Sequence, residues 1–396
     1  MTERILILDN KPIRRGAQIF AHELRQELVR RGLMCRIVYL YRSGPHDMEL
    51  PHDADNRYLG RDKGSFFEAF PLGAPGLSRR VLQEIKEFRP DVVLLNGARS
   101  VKYGGMVSKM LRRQGMRIPF VVRIIDSVVY WNRSRMKQWY MRNLIVPGID
   151  GAVGVGDKAL QEFRDLYGFR GPGTAIPRAF HTDRFRGNGS RTDARQQLDR
   201  PQDRKVVLFL GNITRQKRPD RFLDVFAKVA GRLPDAEAWI VGDGVLRDET
   251  ESRAALLGVD DRVIFWGYRD NVAPFITGSD LLFISSDTEG VPGIALESLF
   301  LERPVVTTDA GDTAMAVKDG VTGYLCAKND TGRLADRIHE LLSDEEKNRT
   351  MGQNGKQHIV EHFNLSRLAD HYLDFFSTLV PDNTARQTAN TTRVAP

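Results

Sequence analysis

A chain of 396 residues is longer than one hydrophobic core usually supports, which predicts two domains. With 41% hydrophobic and 28% charged residues, the composition is that of a globular protein and excludes collagen-like, low-complexity and wholly disordered classes. The formal net charge of +8 hides an asymmetry: through Phe180 there are 31 Lys and Arg against 18 Asp and Glu, and beyond it 28 against 33. The basic first half suits anionic partners such as lipid headgroups or phosphorylated acceptors, although a merely solubilising surface carries the same charge.

The first residues run directly into an apolar strand, 5–8, where a secretory signal would place a hydrophobic segment, and no run of about 18 apolar residues follows. A cytoplasmic location is therefore the default expectation. Ala17 to Arg31 carries Ile19, Phe20, Leu24 and Leu28 at helical spacing and closes on Gly32. A strand at 36–41, a helix at 77–88, a strand at 91–96, a helix at 104–114 and a strand at 120–125 follow. Strands alternating with crossover helices predict a parallel, doubly wound sheet. Residues 43–75 lack periodicity and read as loop. From Gly171 to Arg204 the chain is polar and rich in Gly, Arg and Asp, which predicts an interdomain linker within it. A second alternating set occupies 206–210, 221–233, 238–241, 248–257, 263–266, 281–285, 294–301 and 305–307. Amphipathic segments at 344–362 and 366–379 close the fold, and 381–396 has the composition of a disordered tail. Cys35 and Cys326 are too few for a disulfide framework or a zinc site and read as packed thiols.

The densest chemical signal is the stretch from Ser279 to Glu297, where a strand enters a glycine-bearing loop and then a helix. Glu289 in the loop and Glu297 about one turn into the helix can face one site, and the helix start between them offers free backbone N–H groups to an anion. The stretch resembles the E-x7-E signature of retaining, nucleotide-sugar-dependent glycosyltransferases of the GT-B fold, family 4. The resemblance continues in order through Ile176-Pro177, Asp183 to Phe185, Gly211 to Lys217, Val241 to Gly244, Phe265 to Gly267, Pro304 to Val306 and Gly320 to Gly323.

That resemblance implies an α/β GT-B fold, two Rossmann-like domains with parallel sheets facing a central cleft. Residues 1–185 would form the acceptor-side domain, 186–204 the linker, 205–362 the nucleotide-sugar domain, and 363–380 a helix crossing back to the first domain. It implies a UDP- or GDP-sugar donor, no cofactor and no metal. The acceptor would be a hydroxyl on a polysaccharide or lipid-linked saccharide precursor, glycosylated with retention of configuration.

A departing diphosphate needs cations and N–H dipoles when no metal is present. Lys217, just before Pro219 at a helix start, fits that task, and Arg215 in the same loop substitutes for the Arg that relatives carry where this chain has Asn212. By the resemblance Glu297 holds the ribose hydroxyls and Glu289 touches the donor sugar. Gly290, Val291, Gly293 and Ile294 present backbone amides, and Tyr268 and Arg269 cradle the base, with simple packing of Tyr268 as the other reading. Gly16, with Arg15 beside it on the acceptor side, resembles the glycine turn that approaches the diphosphate; a helix start without ligand is its alternative. Asp126 ends a strand where relatives have a His-Asp pair and this chain has Ile125-Asp126. It either orients the acceptor hydroxyl or caps the following turn. Lys217, Glu289 and Asp126 are the candidate catalytic set.

The segment from Tyr130 to Arg142 mixes aromatics with Arg and Lys, as a helix lying on an anionic membrane would, or as a helix packed on its own domain with a basic outer face. Peripheral contact with the inner face of a membrane is the corresponding expectation. Nothing in it suggests nucleic-acid readout. A nicotinamide-dependent oxidoreductase would need a third glycine and a ribose-binding acid after the first strand, and the chain has neither. The rival from another class is a non-catalytic sugar-nucleotide-binding or scaffold protein of the same fold.

Overall fold

Apolar runs with branched side chains, such as Val92–Asn96 and Phe120–Ile124, are buried along their whole length, as strands covered on both faces must be. A computed structural model describes residues 2–12, 16–42, 56–60, 75–178, 185, 187 and 189–380. Two units divide the chain, Met1–Arg178 with Leu365–Pro396, and Ala179–Asn364.

Among the described residues the first unit contains β1 (Arg4–Asp9), β2 (Met34–Tyr39), β3 (Asn56–Tyr58), β4 (Val92–Asn96), β5 (Phe120–Ile124), β6 (Gly151–Gly154) and β7 (Gly173–Ala175). They form one sheet in the order β3-β2-β1-β4-β5-β6-β7, every pair parallel. The second unit contains β8 (Lys205–Leu210), β9 (Ala236–Val241), β10 (Val263–Gly267), β11 (Leu281–Ile284), β12 (Val305–Thr308) and β13 (Gly323–Cys326). Their order is β10-β9-β8-β11-β12-β13, again all parallel. Both units are thus Rossmann-like, with helices in most of the described connections between strands.

The helix Leu365–Leu379 belongs to the first unit and packs on Gly16–Arg30. The Phe20 and Tyr372 rings lie 6.1 Å apart, and Arg31 binds the Ser366 hydroxyl at 2.7 Å as well as Asp370. In the second unit Phe222 sits between Phe209 and Phe283 at 5.4 and 5.5 Å, fixing the helix Pro219–Ala230 to the sheet. Burial of an aromatic ring of this size contributes about 2–3 kcal/mol. Cys35 and Cys326 are buried free thiols, and burial pushes the Cys326 thiol up.

Three readings of the sequence are corrected. Residues 43–75 include a strand, β3, which adds to β2 at the sheet edge. The segment from Tyr130 to Arg142 is not one helix: Val128–Trp131 and Arg135–Tyr140 are separate, each capped by a serine, Ser127 and Ser134. The stretch 186–204 is no bare linker, because Arg191–Gln197 is a helix opened by a Ser190–Asp193 capping box.

That last helix is held by Arg195, which is fully buried beside Trp239. Its guanidinium donates to the carbonyls of Gly278, Pro201, Gln202 and Arg204 at 2.8–3.0 Å and to Asp280 at 3.1 Å. Burial lowers its pKa to about 10, partly offset by Asp280. Arg195→Met should therefore cost about 3–5 kcal/mol by stranding these acceptors. A urea melt with an unshifted midpoint would show that the carbonyls find other donors.

Candidate functional site

In a parallel sheet whose strand order reverses, loops leaving the carboxyl ends at the reversal diverge and open a crevice. The reversal falls between β8 and β11 in the second unit and between β1 and β4 in the first. The loop after β8 carries Lys217, and the loop after β11 carries Glu289. The structure joins them: Lys217 Nζ donates to Glu289 Oε1 at 2.5 Å, and the Ser286 hydroxyl donates to the same oxygen at 2.6 Å.

The two loops are also laced by backbone. Asp287 N–H donates to the Gln216 carbonyl at 2.9 Å, Gln216 Nε2 to the Thr288 carbonyl at 2.9 Å, and the Ser285 hydroxyl to the Lys217 carbonyl at 2.8 Å. Behind Lys217, Arg218 adopts the left-handed region at φ 52° before Pro219. It pairs with Asp220 and Asp287, and Arg221 adds a second bond to Asp287 at 2.7 Å. A third loop fixes Glu289 from the far side. A Cβ on Gly311, at φ 63°, would stand 1.7 Å from the Glu289 carbonyl, which accepts from Asp312 N–H at 3.2 Å. Only glycine fits there.

Gln216, Arg218, Arg221, Ser285, Ser286 and Asp287 were not singled out by the sequence. Their one visible signal is a run of charges and hydroxyls on both flanks of the matching loops. Glu297 is buried on the helix Gly293–Phe300, and Gly290 and Val291 are buried ahead of Gly293 and Ile294, which are half-buried. Arg215 is exposed in the Lys217 loop. Tyr268 and Arg269 follow β10, two strands from the reversal. The Tyr268 hydroxyl donates to Asp270 at 3.1 Å, and Arg269 donates to the Tyr268 carbonyl at 3.0 Å. The glycines of Val241 to Gly244 have a packing reason: a Cβ on Gly242 would meet the Gly211 carbonyl at 2.0 Å, and one on Gly244 the Ile213 carbonyl at 2.4 Å.

At the reversal of the first sheet lies a buried polar chain that the sequence did not reveal. Asp9 ends β1 and accepts from Asn96 Nδ2 at 2.7 Å, Gln18 Nε2 at 3.1 Å and Asn10 N–H at 2.6 Å. Asn96 ends β4 and accepts from Arg123 at 3.0 Å; Arg123 in turn donates to the Tyr372 hydroxyl at 3.2 Å and lies 4.0 Å over the Phe20 ring. Burial raises the Asp9 carboxyl to about 6, against the hydrogen bonds from Gln18 and Asn96 and the charge of Arg123. Gly16 opens the following helix with the Arg178 guanidinium laid against it. Arg14, Arg15, His181, Asp183 and Arg184 lie outside the described residues.

Asp126 accepts from Ser127 N–H at 2.7 Å and from Trp131 Nε1 at 2.8 Å, which makes it a clamp on the turn 127–131. With Ile125 it also lines a cavity of about 630 Å³ wholly within the first unit.

Residues 14–184 match the family described as Glycosyltransferase Family 4, and residues 190–358 match Glycosyl transferases group 1. Between them the two matches span most of the chain, which belongs to the GT-B glycosyltransferases of family 4. Among curated relatives, N-acetyl-alpha-D-glucosaminyl L-malate synthase of Bacillus anthracis is 29% identical over 192 residues, 48% of this chain and 50% of that protein. The lipopolysaccharide core biosynthesis glycosyltransferase LpsE of Rhizobium meliloti is 29% identical over 184 residues, 46% of this chain and 53% of LpsE. The chain thus spans about half the length of the curated relatives it matches. The Anabaena HepE crystal structure in complex with UDP and glucose superposes with a TM-score of 0.80 at 20% identity, covering 95% of this chain and 100% of HepE. WaaG, a glycosyltransferase involved in lipopolysaccharide biosynthesis, superposes at 0.73 and 18% identity, covering 94% and 99%.

The Asp9 carboxyl binds its proton more tightly folded than unfolded. Its contribution to stability is therefore full below the unfolded value of 3.8 and is lost as pH rises through about 6. The stability of the wild type relative to Asp9→Asn should fall by about 2 kcal/mol between pH 4.5 and 7.5. Chemical melts of both proteins at the two pH values would read it, and a constant difference would mean that Asp9 titrates normally.

Proposed function

We propose that this chain transfers a sugar from a nucleoside-diphosphate sugar to a hydroxyl, with retention of configuration, and that its second unit binds the donor. The Lys217–Glu289 pair at the strand-order reversal carries the reading. An ammonium has three donors. Lys217 can keep its bond to Glu289 while offering others to a diphosphate, and that bond holds it in place before the ligand arrives. As the glycosidic bond breaks, negative charge grows on the departing diphosphate, where a fixed cation and the N–H groups at the start of Gly293–Phe300 stabilise it.

Glu297 is assigned to the ribose hydroxyls, Glu289 to the donor sugar, and Tyr268 with Arg269 to the base, with Arg215 supplementing Lys217. The backbone of Gly290 to Ile294 faces the sugar and phosphate. Gly16 is assigned to the turn approaching the diphosphate, and Arg15 and Asp126 to the acceptor side. UDP is the base to test first, because HepE has been crystallised with UDP and with UDP-glucose; GDP is the alternative. The acceptor is a saccharide or lipid-linked saccharide of a polysaccharide or envelope pathway. Among the described residues no helix is long and apolar enough to cross a membrane. The basic first unit would meet an anionic membrane peripherally, on its cytoplasmic face.

A thermal-shift screen against UDP, GDP, ADP and their sugar conjugates tests donor binding, since a ligand of the native state raises the melting temperature by mass action. Lys217→Ala should weaken the stabilising nucleotide sugar about 10- to 100-fold, the scale of a lost charge-assisted bond, and Glu297→Ala should do likewise. Unchanged affinity and turnover in both variants would remove the donor assignment. Donor binding without transfer or hydrolysis would favour the scaffold alternative, and an inverted product anomer by NMR would refute retention.

A further inference from the structure

None of the residues assigned to the donor lines the cavity beside Asp126. Its volume of about 630 Å³ falls within the roughly 300–1,000 Å³ of small-molecule sites. Buried Val101, Val122 and Phe163 form part of its wall, and so do Trp131 and Met136, which are 60% and 69% exposed. Apolar lining therefore continues from the interior to the surface. Trp131 is fixed there by Asp126 and by an edge-on contact with Tyr130 at 5.0 Å.

The surroundings are cationic. Between Asp126 and Asp150 the sequence holds Arg133, Arg135, Lys137 and Arg142 and no acidic residue. Lys137 lines the cavity, as does Lys102 from the helix Ala98–Arg113. Asp126 is engaged by Ser127 and Trp131, and Glu162 accepts from the Ser127 hydroxyl at 2.6 Å. Asn132, also on the wall, is held by its Nδ2, which donates to the Tyr167 hydroxyl at 2.7 Å. An apolar chamber with cations along its lining complements an amphiphile with an aliphatic chain and an anionic head.

We propose that this cavity takes the aliphatic chain of a phosphate-bearing lipid acceptor, with Lys102 and Lys137 on the phosphate. The inference rests on the transfer reading above and narrows its acceptor to lipid-linked saccharides.

Hexyl, octyl and decyl phosphate, kept below micellar concentrations, can be titrated calorimetrically into the full-length protein without nucleotide. Affinity should rise about fourfold for each added methylene that is buried. Decyl glucoside should bind about tenfold more weakly than decyl phosphate, for want of the charge-assisted contacts. Val128→Trp, which fills the cavity, and Met136→Glu, which sets a carboxylate at an exposed lining position, should each weaken decyl phosphate about tenfold while the nucleotide thermal shift is kept. Should Val128→Trp fail to fold, Met136→Glu carries the test alone.

Affinity independent of chain length, equal binding of phosphate and glucoside, or unchanged binding in Met136→Glu would overturn the proposal. So would binding to phosphatidylglycerol vesicles with none to monomeric decyl phosphate, which would make the segment a surface contact only. Chain binding without any nucleotide shift would instead sink the transfer reading and leave the cavity result standing.

Discussion

Because β1 and β8 lie inside parallel sheets, with chain-sequential neighbours on one side and strands reached by a return crossover on the other, the loops at their carboxyl ends separate from those of β4 and β11. Two of the chain's polar clusters lie at that divergence. In the second unit the separated loops carry a lysine and a glutamate that meet at 2.5 Å. At the equivalent place in the first unit stand an aspartate and an asparagine that meet at 2.7 Å. The same topology holds a partly hydrated ion pair in one unit and a buried carboxyl in the other.

In the second unit three cations near the reversal have carboxylate counterparts: Lys217 with Glu289, Arg218 and Arg221 with Asp287. Lys217 and Glu289 keep 21% and 9% of their side-chain surface, so the pair is only partly desolvated. A partly hydrated pair can exchange a partner for a ligand phosphate at far less cost than a buried one. Rigidity comes from behind, through the loop-to-loop backbone bonds and the glycine contact at Gly311. In the first unit the acid is sealed off, and burial outweighs its hydrogen bonds enough to hold the carboxyl near 6.

Most of the strand and helix alternation was legible, because apolar runs such as Ile5 to Leu8 and Val206 to Leu210 have few other ways to be buried. Glu289 was legible from the strand–loop–helix pattern and Lys217 chiefly through a family signature; local spacing cannot say that positions 72 apart in sequence will touch. Their supports were not legible at all, since Arg218 and Asp287 look like any solvated charges. Strand β6 was hidden for another reason. Its ends are Gly151 and Gly154, and a Cβ on either would strike Leu379 and Phe375 or Gly156 and Leu160. Close packing of neighbouring helices removed the side chains that would have announced a strand. The helix 191–197 was concealed because a buried arginine, Arg195, does the anchoring usually left to apolar residues.

The helix Leu365–Leu379 has a chemical role in the first unit beyond packing. Arg123 retains 3% of its surface, so its donors must find partners inside the protein. One goes to Asn96, one to the Tyr372 hydroxyl, and the flat face rests on Phe20. Tyr372 is itself fully buried, and burial keeps its hydroxyl protonated by raising its pKa. Arg123 lowers the cost of charge on Asp9 and orients Asn96, whose amide is the shortest side-chain bond to that carboxylate. Undocking the helix would remove a partner from a buried guanidinium and loosen the amide it positions, so the proton affinity of an acid at residue 9 is coupled to the seating of a helix more than 350 residues later.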